Sequence, residues 1–342
     1  MHSEETLALL RGAIAESTRA TYFTATKQYE AWCVAKGITP TPLTEHSVAA
    51  WLTALASEGR LHSKTIRVYA SALSTLHIES SLTASNNPMR GAVVTRLLDG
   101  IDRRLAPAEK AKRAAKPELT VITPDVLREL MPLLRTSSEA DTMRWAAATL
   151  ATCALLRPGE LFGTQQKRRA GLSAASITFS RHAGSELVQS LPSASVELSA
   201  TPIPDRFTID LGASKSDQLA RAPPHIVGTP LAVEAMWRWL FLRRQGDAYG
   251  PELFRPAGRK GAPLSLASLL GWLTDGLTSL GYDSVKLTGK CFRRGGASAL
   301  VAAGHGPEQV AARGRWKSLS MPAVYANAAS KRQADLDVSR RM

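Results

Sequence analysis

The sequence predicts a mainly α-helical protein in two domains, with one small β region confined to the C-terminal half. Three observations carry this. Apolar residues recur every three or four positions through most of the chain, the period of amphipathic helices. Aromatics make up only 6% while Ala, Leu and Arg are abundant, which favours helix. Short β-branched runs occur only between Gly171 and Pro230. A chain of 342 residues is also long for a single core.

Charge narrows the partners. The net charge of +14 and the pI near 10.0 favour a polyanion, nucleic acid first and an anionic membrane surface second. The longest apolar run, Trp145 to Leu156, is too short to cross a bilayer and is closed by Arg144 and Arg157. Acidic residues at Glu4 and Glu5 do not suit a signal peptide. Cys33, Cys153 and Cys291 lack metal-ligand spacing. The first two fall in apolar helical patterns, as buried thiols in a reducing, intracellular setting would.

Four helices are predicted in the first hundred residues. Ser17 caps one carrying Tyr22, Tyr29, Trp32 and Cys33, ended by Gly37. Thr44 opens a second with Val48, Trp51, Leu52 and Leu55, ended by Gly59. Ser63 starts a third with Ile66, Tyr69, Leu73 and Leu76. A fourth runs from Met89 to Leu105. The aromatics belong to the core of this domain, residues 1–105. Arg60, Lys64 and Arg67 begin the third helix, and Arg90, Arg96, Arg103 and Arg104 mark the fourth, where cations suit phosphate contacts as well as plain solvation. Residues 106–118, rich in Ala, Lys, Pro and Glu, read as an interdomain linker. Its Lys110, Lys112 and Arg113 would suit a strap along a DNA backbone.

Residues 119–342 form the second predicted domain. Thr123-Pro124 and Ser138 start two helices, the second running to Leu156. Arg157 follows directly, inside a Pro-Gly break. It stands at the edge of a core, either aimed at a phosphate or paired with Glu160. Three short runs, Ile177–Phe179, Phe207–Leu211 and His225–Val227, read as strands, with Lys215 in a turn between the last two. Helices follow at Leu231–Leu242 and Leu266–Leu280. Thr288 then caps a helix holding Lys290 and Arg293, which share a face, and Gly295-Gly296 permits close packing. Gly304, Pro307 and Gly314 punctuate short helices that can fold back on one another. Ser320 and Pro322 open a last helix bearing Tyr325.

These residues resemble the tyrosine recombinases of the phage integrase family. The matching pattern is an Arg in an Arg-x-x-Glu-Leu context (Arg157 to Leu161) and a Lys in a β-turn (Lys215, with Lys167 as fallback). Next come Lys followed three residues later by Arg (Lys290, Arg293), a Trp after a Gly-rich turn (Trp316), and a Tyr nine residues on (Tyr325). Most members carry His where Lys290 stands. The Phe292-Arg293-Arg294-Gly295-Gly296 phrasing is similar to recombinases of eukaryotic mobile elements such as Cryptons.

The resemblance implies a helical DNA-clamping domain and an α+β catalytic domain that cleaves and rejoins DNA through a 3′-phosphotyrosine, with no metal and no ATP. Tyr325 would be the nucleophile. Arg157 and Arg293 would hold the phosphate oxygens, and Trp316 would donate a further hydrogen bond. Lys215 would protonate the leaving 5′ oxygen. Lys290 would serve as base or as a third phosphate-binding cation. The partners implied are double-stranded DNA and a homotetramer across two sites. A type IB topoisomerase would use similar chemistry, and an inactive DNA-binding derivative would need only the basic surface.

Overall fold

The computed structural model describes residues 3–80, 86–114, 121–135, 138–163, 171–183, 186–190, 203–212, 223–245, 252–256, 261–282 and 285–324. The chain divides into two compact units, Met1–Pro117 and Glu118–Met342. Among the described residues no helix is long and apolar enough to cross a membrane.

The first unit is helical: α1 (Glu4–Gly12), α2 (Glu16–Ala35), α3 (Glu45–Glu58), α4 (Ser63–Glu79) and α5 (Ala92–Ala114), with a 3-10 turn at Pro88–Arg90. Trp51 lies at its centre, edge-on to Tyr29 at 5.3 Å and stacked on Tyr69 at 5.9 Å. These rings are buried, as expected from their helical spacing. The only polar atom on the Tyr29 ring is satisfied, its hydroxyl lying 2.8 Å from the Ser47 hydroxyl. Thr44 caps α3 through a reciprocal capping box with Ser47.

Several boundaries differ from the sequence expectation. Ser17 lies inside α2, whose N-cap is Ala15. The N-cap of α4 is His62, one residue before Ser63. α1 was not foreseen. Its Leu9 is 72% exposed. Residues 106–114 are the last turns of α5 rather than linker, and Pro107 sits within that helix. The Ala, Glu and Lys that suggested a linker are also strong helix formers. Tertiary contact decides between the two, because the Glu109 carboxylate accepts a 2.7 Å hydrogen bond from the Ser63 N–H and so caps α4. Glu45 does the same for α5 by accepting from the Val93 N–H at 3.1 Å.

The second unit is built around α7 (Glu139–Cys153), whose residues from Thr142 to Cys153 are buried but for Arg144. Ser138 caps it by accepting from the Asp141 N–H. Thr123 likewise caps α6 (Pro124–Leu130). The remaining helices are α8 (Pro158–Leu161), α9 (Pro230–Gln245), α10 (Leu266–Ser279), α11 (Lys290–Ala302) and α12 (Pro307–Gly314). Residues 320–324 are helical as well.

A four-stranded antiparallel sheet has the order β2-β1-β3-β4, from β1 (Ile177–Ala183), β2 (Glu186–Ser190), β3 (Arg206–Ile209) and β4 (His225–Val227). Its Phe179 and Phe207 face the core, and Phe179 meets Trp237 of α9 edge-on at 4.9 Å. Strand β2 was not foreseen, since Glu186–Ser190 carries no β-branched alternation beyond Val188. Gly289, not Thr288, is the N-cap of α11; Thr288 contributes its carbonyl, which accepts from the Cys291 N–H at 2.8 Å.

The Gly295-Gly296 pair sets the depth of α11. A Cβ on Gly295 would sit 1.9 Å from the Ile122 carbonyl oxygen, and one on Gly296 would sit 2.1 Å from that of Thr152. Both neighbours are backbone, which cannot swing aside. Gly295→Ala is therefore expected to lower the unfolding free energy of the full chain by about 2–3 kcal/mol, the cost of overpacking a rigid site. Urea unfolding followed by tryptophan fluorescence checks it. A loss under about 0.5 kcal/mol would show that α11 can lift away freely.

Candidate active site

Three separated segments converge in the second unit. The first is the turn that ends α7. Leu155 adopts φ 49, left-handed for a residue with a Cβ, and reverses the chain so that Arg157 becomes the N-cap of α8 with Pro158 at the first helical position. Such a conformation costs about 1–2 kcal/mol, so the surroundings must hold it. The second segment is α11, which places Arg293 one turn beyond its start. The third is the end of α12, where Arg315 takes φ 55 and the chain continues into Trp316.

Arg293 joins all three. It is only 8% exposed. Its Nη1 donates to the Leu155 carbonyl at 2.6 Å, and its Nη2 donates to the Gly314 carbonyl. Its guanidinium carbon lies 4.2 Å above the Trp316 ring. The plane and position of this cation are thus set by two carbonyls and an aromatic face. Gly314 is required here, because a Cβ would fall 1.9 Å from the Trp316 ring.

A second cluster adjoins the first. Glu160 is buried and uses both oxygens. Its Oε1 accepts from Arg157 Nη1 at 2.8 Å, and its Oε2 accepts from the Arg157 backbone N–H and from Arg315 Nη2, each at 2.8 Å. Arg315 also reaches the Ala154 carbonyl at 3.4 Å. Burial opposes ionisation of Glu160, but Arg315 first and Arg157 next outweigh it and hold the carboxyl below its ordinary range. Arg313 of α12 donates to the Ile226 carbonyl on edge strand β4 at 2.9 Å. Beside it His225 is pushed down to about 3 by burial, then by Arg315 and Arg313, against the opposing pull of Glu160 and the Ala154 carbonyl. Its Nε2 is buried without a hydrogen-bond partner.

Of the residues expected at the site, the fold brings Arg157, Arg293 and Trp316 together. Lys290 stands exposed in the first turn of α11. Lys215, its fallback Lys167 and Tyr325 lie outside the described residues. The connection holding Lys215 runs from β3 to β4, which pair at Ile209↔His225, and the helical residues 320–324 lead directly to Tyr325. In the first unit Arg60, Lys64, Arg90 and Arg96 are exposed. Arg67 instead pairs with Asp99 and Asp102 at 2.7 and 2.6 Å. The side chains of Lys110, Lys112 and Arg113 lie outside the described residues.

Sequence reading missed Arg315 and His225. The signal for Arg315 was an Arg directly after the last helical Gly, where a left-handed helix cap usually carries Gly or Asn. Nothing in the local pattern marks His225, because only the sheet register brings it to α12.

Among families of known proteins, residues 5–79 match the phage integrase N-terminal SAM-like domain. Among solved structures, the Tn1549 transposon integrase in complex with transposon right end DNA aligns over 95% of this chain and 95% of that one, with TM-score 0.53 and 14% identity. The same integrase in complex with circular intermediate DNA aligns over 97% and 96%, with TM-score 0.52 and 15% identity. A lambda integrase dimer bound to a COC' core site aligns over 94% and 75%, with TM-score 0.48 and 14% identity. No curated protein matches in sequence. The chain has the tyrosine-recombinase fold, mainly helical with a small antiparallel sheet.

The buried groups give a pH dependence. His225 has a folded value near 3 against an ordinary 6.5, so the unfolded chain binds its proton first as pH falls. Stability is then full above pH 6.5 and declines through the window from 6.5 to 3, by at most about 1.4 kcal/mol per pH unit. Below the ordinary carboxylate value, Glu160 adds to the loss. Urea unfolding of wild type and His225→Gln at pH 7.5, 6 and 5 reads this. The variant is expected to lose less stability on acidification, and parallel curves would place the dependence elsewhere.

Proposed function

We propose that this chain is a site-specific DNA recombinase that cleaves and rejoins strands through a 3′-phosphotyrosine. The observation that carries the reading is the convergence of Arg157, Arg293 and Trp316 from three separate segments, in the order and spacing of the family, with Tyr325 nine residues beyond Trp316. The match of residues 5–79 to an integrase N-terminal domain and the likeness to recombinase folds support it.

A phosphodiester is negatively charged, and more charge collects on its oxygens as a fifth ligand approaches phosphorus. Arg293, fixed by two carbonyls and an indole face, and Arg157, anchored by Glu160, present preorganised cations to those oxygens. Lys290, exposed three residues before Arg293, adds a third. The Tyr325 hydroxyl gives up its proton to solvent as its oxygen forms a bond to phosphorus and the bond to the 5′ oxygen breaks. Lys215 delivers the proton that makes the leaving group a hydroxyl. The edge strand β4, which follows the Lys215 connection in the chain, is tied to α12 by Arg313. Attack by a 5′ hydroxyl on the phosphotyrosine reverses the step. The bond energy is retained and no ATP is needed. Exchange between two duplexes calls for a homotetramer on DNA. The exposed Arg60, Lys64, Arg90 and Arg96, with Lys110, Lys112 and Arg113 further along α5, supply backbone contacts.

Nicked suicide substrates bearing the DNA that flanks its own coding region test the reading. Wild type is expected to form a covalent protein–DNA adduct, and Tyr325→Phe none. Arg293→Ala should slow adduct formation by roughly 10²–10³. Lys215→Ala should slow it by roughly 10²–10⁴ on ordinary DNA, yet recover on a 5′-bridging phosphorothiolate, whose thiolate leaves without a proton. No adduct on any flanking site sinks the enzyme reading. Adduct without exchanged products points to relaxation by the topoisomerase route.

A further inference from the structure

Arg315 takes no part in the chemistry proposed above, yet its setting is unusual. It is a non-glycine residue in the left-handed region at a helix end, where a Cβ is a liability. Its side chain is 16% exposed. Its backbone neighbours are both spoken for: the Gly314 carbonyl accepts from Arg293, and the Trp316 ring lies under the same guanidinium. The Arg315 side chain turns the other way, to Glu160 Oε2 and the Ala154 carbonyl. One residue therefore ties the segment that holds Arg293 to the carboxylate that holds Arg157.

Charge gives that tie a purpose. A buried Glu160 paired with Arg157 alone is a neutral unit, and a neutral unit attracts a phosphate poorly. Two guanidinium groups on one carboxylate leave a net positive charge. They also divide the carboxylate: Arg315 engages Oε2, while the Arg157 guanidinium engages Oε1. Other ionisable groups face this cluster. Arg313 comes from α12 and His225 from β4, and both interact with Arg315 or lie beside it.

We infer that Arg315 is a positioning residue for strand cleavage, which offsets the charge of Glu160 and orients it so that Arg157 keeps its cationic hold on the scissile phosphate. This rests on the strand-transfer reading. The step itself is unchanged, with Tyr325 gaining the bond to phosphorus and the 5′ oxygen leaving.

The test compares Arg315→Gly, Arg315→Lys and wild type as full chains. Glycine suits the left-handed backbone, so its effect reports the lost guanidinium rather than a broken turn. Single-turnover adduct formation on the nicked substrate, at saturating DNA, is measured from pH 5 to 9. For Arg315→Gly we expect cleavage slowed 10- to 100-fold near neutrality and DNA affinity within threefold of wild type. The acid limb should move to higher pH as Glu160 loses its main counter-charge. Arg315→Lys is expected to recover most of the rate and the wild-type limb. A glycine variant with the wild-type rate and profile overturns the inference, and so does a lysine variant no better than glycine. If glycine lowers the melting temperature, the lysine variant decides, since restored folding without restored cleavage also overturns it. Wild type without adduct defeats the strand-transfer reading itself and this role with it.

Discussion

The second unit depends on one buried cation. Arg293 carries full charge in a place that water barely reaches, and such a group is tolerated only when its donors are matched. The matches are the carbonyls of Leu155 and Gly314, with the Trp316 ring against its face. Those partners are drawn from the turn after α7 and the turn after α12. Satisfying one guanidinium therefore fixes the turn after α7 against two consecutive helices more than a hundred residues further along the chain.

The demand explains features that look costly in isolation. Leu155 and Arg315 both sit in the left-handed region. Each strain serves a carbonyl: Leu155 presents its own to Arg293, and the reversal at Arg315 leaves that of Gly314 pointing back to the same group. The glycines answer the same demand from the other side. Gly295 and Gly296 let α11 approach the Ile122 and Thr152 backbone closely enough for Arg293 to reach Leu155. Gly314 leaves room for the indole.

A second charge cluster, Arg157–Glu160–Arg315, is laid against the first through adjacent residues of the same turns. The sheet belongs to this design through its edge. Arg313 takes the Ile226 carbonyl of β4, a group that an edge strand would otherwise leave to solvent. The strand that begins where the Lys215 connection ends is thereby anchored to the helix that precedes Trp316.

Much of this protein could be read without a structure. Helical period located α2 to α5, and side-chain caps at Thr44, Thr123 and Ser138 marked helix starts correctly, because a cap is a local hydrogen bond between near neighbours. The residue types at Arg157, Lys290, Arg293, Trp316 and Tyr325 were legible from spacing. Where reading failed, the deciding contact was distant. Residues 106–114 became helix with Glu109 reaching Ser63, and Glu186–Ser190 became strand by pairing with β1. The sequence by itself determined the fold class and the order of the charged residues, since periodicity and spacing are properties of neighbours. Only the tertiary structure decided which groups satisfy a buried charge. That is why Arg293 is clamped by two carbonyls, why Arg157 shares Glu160, and why Arg315 and His225 lie beside them.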